Sequence, residues 1–165
     1  MTRPRVLVAG IGNIFFGDDA FGVEVARRLV DRPMPDGVKV ADFGIRGLHL
    51  AYELLDGYDT LVLVDALPMG EPPGTVALIE PELHPAERED TAPPIEAHSM
   101  SPAVVLALLS GLGATVERVL IVGCQPDVVD EGIGLSPAVA GAVESGVAAV
   151  LDVLPEICVV AGKES

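Results

Sequence analysis

The stretch from Val6 to Val23 constrains this chain more than any other. Val6-Leu7-Val8-Ala9 is a short apolar run, and Gly10-Ile11-Gly12-Asn13 interrupts it. Gly17-Asp18-Asp19-Ala20-Phe21-Gly22 then places two adjacent carboxylates where a helix begins. A strand that ends in glycine and acid directly before a helix opens a βα unit. Such a unit delivers polar side chains to the carboxyl edge of a parallel sheet.

The rest of the chain repeats the alternation. β-branched and apolar runs predict strands at Arg5–Ala9, Val38–Asp42, Thr60–Asp65, Thr75–Glu80 and Arg118–Gly123. The first, third and fifth are continuously apolar, as strands covered on both faces require. Between them, Asp19–Asp31 puts Phe21, Val25 and Leu29 on one helical face, and Leu48–Leu55 is a second helix. Pro102–Leu112 has Ser101 as its cap and proline at its first position. Ser136-Pro137 repeats that signal before a helix to about Leu151. The expected fold is α/β: a three-layer α/β/α sandwich on an about five-stranded, mostly parallel sheet. One strand is expected antiparallel, because Pro72-Pro73-Gly74 leaves no room for a crossover before Thr75. Residues 1–165 are read as a single α/β domain, with residues 80–97 as a long acidic, proline-rich surface loop.

Charge excludes one large class of partner. Lys and Arg number 10 against 25 Asp and Glu, a net charge of −15. A surface so acidic repels phosphate backbones, so no nucleic-acid partner is expected. No apolar run reaches the roughly twenty residues that span a bilayer, and no signal peptide is read in Met1 to Ala9. Cys124 and Cys158 have no metal or redox spacing. A cytoplasmic chain without a membrane partner, with Cys124 as a buried thiol, is the expectation.

If the sheet is parallel, its carboxyl edge gathers Asn13, Asp18 and Asp19 after the first strand, Asp42 at the end of the second and Asp65 at the end of the third. His98 precedes the predicted helix capped by Ser101, and Gln125 and Asp127 follow the fifth strand. Asp19, Asp42, Asp65 and His98 would face one crevice. Carboxylates with one imidazole suit zinc or nickel and leave a coordination position open. Spacing alone does not establish a metal, since neither HExxH nor CxxC occurs. Each residue also has a plainer role. Asp18 or Asp19 would cap the helix, Asp42 and Asp65 would bond loop amides, and His49 and His84 would lie at the surface.

Two other chemistries fit less well. No serine sits in a GxSxG elbow. Gly10-Ile11-Gly12 resembles half of a dinucleotide fingerprint, with Asp42 as the ribose acid. Phe15 replaces the third glycine, however, and Asp18-Asp19 would put negative charge where pyrophosphate sits. Gly10, Gly12 and Asn13 are read instead as the turn that positions Asp19.

Taken together, these motifs resemble the hydrogenase maturation endopeptidases, which trim the C-terminus of the large subunit of [NiFe]-hydrogenases. The resemblance runs from Val6 to about Val150. It is carried by Gly10-Ile11-Gly12-Asn13 with Gly17-Asp18-Asp19-Ala20-Phe21-Gly22, by Leu63-Val64-Asp65-Ala66, by Ala97-His98, and by Ile133-Gly134-Leu135-Ser136-Pro137. It implies metal ligation by Asp19, Asp65 and His98. The implied metal is nickel already installed in the substrate, with zinc or another divalent ion possible in vitro. The implied partner is the precursor large subunit of a [NiFe]-hydrogenase. Asp19 stands where the family often has glutamate. Asp42-Phe43-Gly44-Ile45-Arg46-Gly47 departs from the usual Asp-Gly-Gly-Thr while keeping Asp42 and Gly44. Asp42 is the candidate for proton transfer or peptide orientation. Arg46 is the candidate for pairing with a substrate carboxylate, against a plainer role as a solvent-exposed loop arginine. A non-catalytic module that senses nickel in an immature partner would use the same ligands.

Overall fold

A computed structural model describes residues 4–81, 107 and 116–158 of the chain. Five strands form one sheet: β1 (Val6–Ile11), β2 (Val38–Gly44), β3 (Thr60–Ala66), β4 (Val76–Ile79) and β5 (Arg118–Cys124). Their order is β2-β1-β3-β5-β4, and only the β4–β5 pair is antiparallel. The antiparallel strand is where the short link requires one. It pairs with β5 rather than with β3, so residues 67–75 carry the chain across the end of β5 to the sheet's edge.

The continuous apolar strands are explained by helices on both faces. Val6, Val8, Val62, Val64, Leu120 and Val122 point to one side. There they meet α1 (Phe21–Val30) and the C-terminal helices α3 (Pro137–Ala140) and α4 (Val143–Ile157). Leu7, Ala9, Leu61, Leu63, Val119 and Ile121 point to the other, where α2 (Gly47–Leu54) covers them with Leu50 and Leu54. Side chains alternate along a strand, so each strand feeds both layers of core.

Two helix boundaries differ from the sequence expectation. The helix expected at Asp19–Asp31 is a 3₁₀ turn, Gly17–Ala20, followed by α1. The helix expected to end near Leu151 is broken at Gly141–Ala142 and runs on to Ile157. Gly146 sits in α4 where it meets α1, and a Cβ there would lie 2.7 Å from Phe21. Residues Pro137–Ile157 also reach the length and hydropathy of a membrane span, contrary to the reading of the sequence. Here they form two helices whose apolar face is core: Val143, Val147, Val150 and Leu154 are all buried. The predicted loop at residues 80–97 and the helix at Pro102–Leu112 fall almost wholly outside the described residues.

Register brings the functional edge together. Gly10 of β1 lies level with Asp42 of β2 on one side and Val64 of β3 on the other. The register then slips by one residue, because Ile11 pairs with Gly44. Phe43 is thereby turned inward under the second layer, where it is buried.

Candidate active site

The glycines of the first motif are required by close backbone approach. Gly12 has φ +135°, and a Cβ on it would lie 1.9 Å from the Asp19 carbonyl oxygen. Gly22 in α1 is as tight, since its Cβ would lie 2.0 Å from the Val64 carbonyl and 2.5 Å from that of Ile11. A Cβ on Gly10 would in turn meet the Gly22 carbonyl at 2.2 Å. The start of α1 therefore rests directly on β1 and β3, and side chains at its entrance overhang the ends of both strands. These glycines serve packing within the chain rather than the approach of a phosphate.

Asp19 and Asp65 meet at this edge. Asp19 Oδ2 accepts a 2.8 Å hydrogen bond from the Asn13 amide, and Asn13 Oδ1 accepts one of 2.9 Å from the Phe15 amide. The Gly-Asn turn thus holds the Asp19 carboxylate while closing on itself. Burial nevertheless pushes the Asp19 carboxyl above its ordinary value, with the Asn13 amide opposing the shift. Asp65 is only 2% exposed, and its Oδ1 has no hydrogen-bond partner among the described residues. Burial first, and then the charge of Asp19, push its carboxyl well above the ordinary range. A buried carboxylate oxygen left without a donor costs free energy, and native proteins retain such groups where chemistry needs them.

Asp18 behaves in the opposite way, and its sequence reading as a helix cap is corrected. It makes no side-chain bond to the turn that it opens. Although fully buried, it accepts four hydrogen bonds from the far side of the molecule. Asp127 and Val128 amides donate to Oδ2 at 2.8 Å, and the Ser136 hydroxyl does so at the same distance. The Ser136 amide donates to Oδ1 at 2.7 Å. Burial alone would raise its pKa, but these donors outweigh it and the carboxyl is lowered. Asp18 also ties its own amide to the Val128 carbonyl, and Gly17 bonds Gly132. Asp18 is the anchor of the loop between β5 and α3.

Asp42 lines a cavity of about 280 Å³ together with Asn13, Phe15, Arg27, Gly44 and Arg46. Arg46 lines the cavity too, but it folds back on its own loop. Its Nε donates to the Phe43 carbonyl at 3.1 Å and its Nη2 to the Asp42 carbonyl at 3.0 Å. Cys124 is buried, and burial with the charge of Asp18 pushes its thiol up to about 11, which leaves it inert as a nucleophile at neutral pH. His49 is exposed on α2. His98 and His84 lie outside the described residues, within which no third His, Cys, Asp or Glu completes a metal-binding cluster. Reading of the sequence missed two residues of this edge, Arg27 and Ser136. Arg27 carried no signal beyond lying off the apolar face of α1. Ser136 was legible as the residue before a helical proline and as part of the Ile133–Pro137 motif, but not as a partner of Asp18.

Comparison with known proteins identifies the family and the fold. A family model described as hydrogenase maturation protease matches residues 23–153. The hydrogenase expression/formation protein HoxM of Azotobacter vinelandii is 33% identical over 163 residues, 98% of this chain and 77% of that protein. The hydrogenase 2 maturation protease of Escherichia coli is 33% identical over 154 residues, 92% of each chain. The solved structure of the hydrogenase maturating endopeptidase HybD from Escherichia coli superposes with a TM-score of 0.72. It is 30% identical and covers 92% of this chain and 93% of that one.

Proposed function

The chain belongs to the hydrogenase maturation protease family, and from that premise we propose that it cuts the C-terminal extension from the large-subunit precursor of a [NiFe]-hydrogenase after nickel insertion, in the cytoplasm. The observation that carries the reading is the Asp19–Asp65 pair. A buried carboxylate, Asp65, and a half-buried one, Asp19, share one sheet edge, both are pushed toward neutrality, and Asp65 Oδ1 has no donor among the described residues. A divalent cation between them would satisfy the orphan oxygen and relieve the repulsion. The nickel of the substrate fits that role, with Asp19, Asp65 and His98 as the residues that would hold it. Bound there, it would polarise the scissile carbonyl.

The chain's own residues supply the remaining functions. The Asn13 amide fixes the Asp19 carboxylate toward the edge. Asp42, which lines the cavity, is our candidate to exchange a proton with the reacting peptide or to orient it. Arg46 has its Nη1 without a bond among the described residues, and a carboxylate of the substrate tail would pair there.

The test is direct. Incubating the purified chain with nickel-loaded precursor should release a short C-terminal peptide, read by mass spectrometry. His98→Ala should stop that release while leaving the circular dichroism spectrum unchanged. A stable complex without cleavage would replace the peptidase reading with that of a nickel-sensing module. Normal processing by His98→Ala would remove the metal-site assignment.

A further inference from the structure

We infer that Arg27 is a positioning residue for Asp42, which deepens the peptidase reading and rests on it. Arg27 lies in α1, about two turns beyond Asp19. Its Nε is 3.7 Å from Asp42 Oδ2, and Arg46 Nη2 is 3.7 Å from Asp42 Oδ1. The carboxylate is therefore flanked by one guanidinium on each oxygen. Both separations exceed a hydrogen bond, so the contacts are ionic and leave both oxygens able to accept an N–H from a bound peptide.

The two arginines are not equivalent. Arg46 follows Asp42 closely in the chain and is already bonded to the Asp42 and Phe43 carbonyls, so it moves with the end of β2. Arg27 reaches Asp42 from another element. That element is the helix whose entrance carries Asp19 and whose Gly22 is seated on the Val64 carbonyl, one residue before Asp65. Arg27 thus ties the end of an edge strand to the helix that packs against Asp19 and Asp65. Without it, the Asp42 side chain would be held only from its own end of β2, two residues before Gly44 at φ +57°. One competitor is present, since Glu24 lies 3.6 Å from Arg27 on the same helix. Glu24 and Asp42 therefore share one guanidinium, and removing Glu24 should leave it to Asp42.

The experiment uses the full chain and two readouts. With the nickel-loaded precursor, Arg27→Ala should lower kcat about tenfold with KM within about twofold, a modest loss for a displaced reacting group. Arg27→Lys should recover most of the loss, and Glu24→Gln should process at or above the wild-type rate. The second readout needs no substrate. The amide NMR signals of Asp42, Phe43 and Gly44 should shift in Arg27→Ala, and the same substitution should leave them in place in an Asp42→Asn background. A chain that cuts no precursor would overturn the peptidase reading while the NMR comparison still decides the Arg27–Asp42 coupling. Equal shifts in both backgrounds would overturn the positioning role. So would a loss in Glu24→Gln equal to that in Arg27→Ala, because it would mean that the helix surface, rather than Asp42, is what Arg27 serves.

Discussion

Asp18 and Asp65 are both carboxylates buried to within 2% of completely, yet their surroundings are opposite. Asp18 receives four hydrogen bonds and is held charged below its ordinary pKa. Asp65 has an oxygen with no partner among the described residues, faces the charge of Asp19, and is pushed well above its ordinary pKa. Burial is common to both, so burial does not distinguish a structural acid from a reactive one. The count of donors does. A saturated carboxylate has no lone pair left to offer a cation or a substrate, whereas an unsaturated one is kept at a cost in stability. Adjacent Asp19 is like Asp65 rather than Asp18: each has one backbone amide donor, Asn13 for Asp19 and Ala66 for Asp65, and each has a raised pKa.

The largest test of that contrast is Asp18→Ala. It strands the amides of Asp127, Val128 and Ser136 together with the Ser136 hydroxyl. A loss of about 3–5 kcal/mol is expected from breaking so satisfied a buried charge. For a chain of this size that corresponds to roughly 10 °C or more in Tm by calorimetry. A loss below about 1 kcal/mol would mean that the loop between β5 and α3 holds itself and that Asp18 is no anchor.

A smaller effect follows from pH, and it has opposite sign for the two acids. Asp18 has a lowered folded pKa, so its contribution is complete above the ordinary value of 3.8 and is lost as pH falls through the lowered value. The stability gap between wild type and Asp18→Ala should therefore be flat near neutrality and close in acid. Asp65 has a raised folded pKa, so its cost is complete above that raised value and is relieved as pH falls from there toward 3.8. Denaturant midpoints of wild type, Asp18→Ala and Asp65→Asn across pH 3–8 check both slopes at once. Parallel slopes for the two variants would erase the distinction between the acids.

Much of this arrangement was legible from residue order. Runs such as Leu61–Val64 are apolar at every position because both sheet faces are covered, and that pattern predicted a parallel sheet with a functional carboxyl edge. The pairing of Asp19 with Asp65 follows from that edge and from register, so the sequence placed both acids on it. The anchoring role of Asp18 was not legible. Its partners are 109 to 118 residues away and are mainly backbone amides, which have no residue signature. The same holds for Arg27, whose meeting with Asp42 depends on how α1 crosses the end of β2. The place of β4 was hidden because a short link fixes the direction of the next strand but not which neighbour it joins.

The most direct test of the account is the thermal unfolding of Asp65→Asn beside its processing of precursor. Replacing the acid by its neutral near-isostere removes the repulsion with Asp19 and leaves the volume unchanged. The account predicts a chain stabilised by about 1 kcal/mol at neutral pH, roughly 2–4 °C in Tm, that no longer releases the C-terminal peptide. A lower Tm with processing intact would contradict it, because Asp65 would then be a structural acid like Asp18.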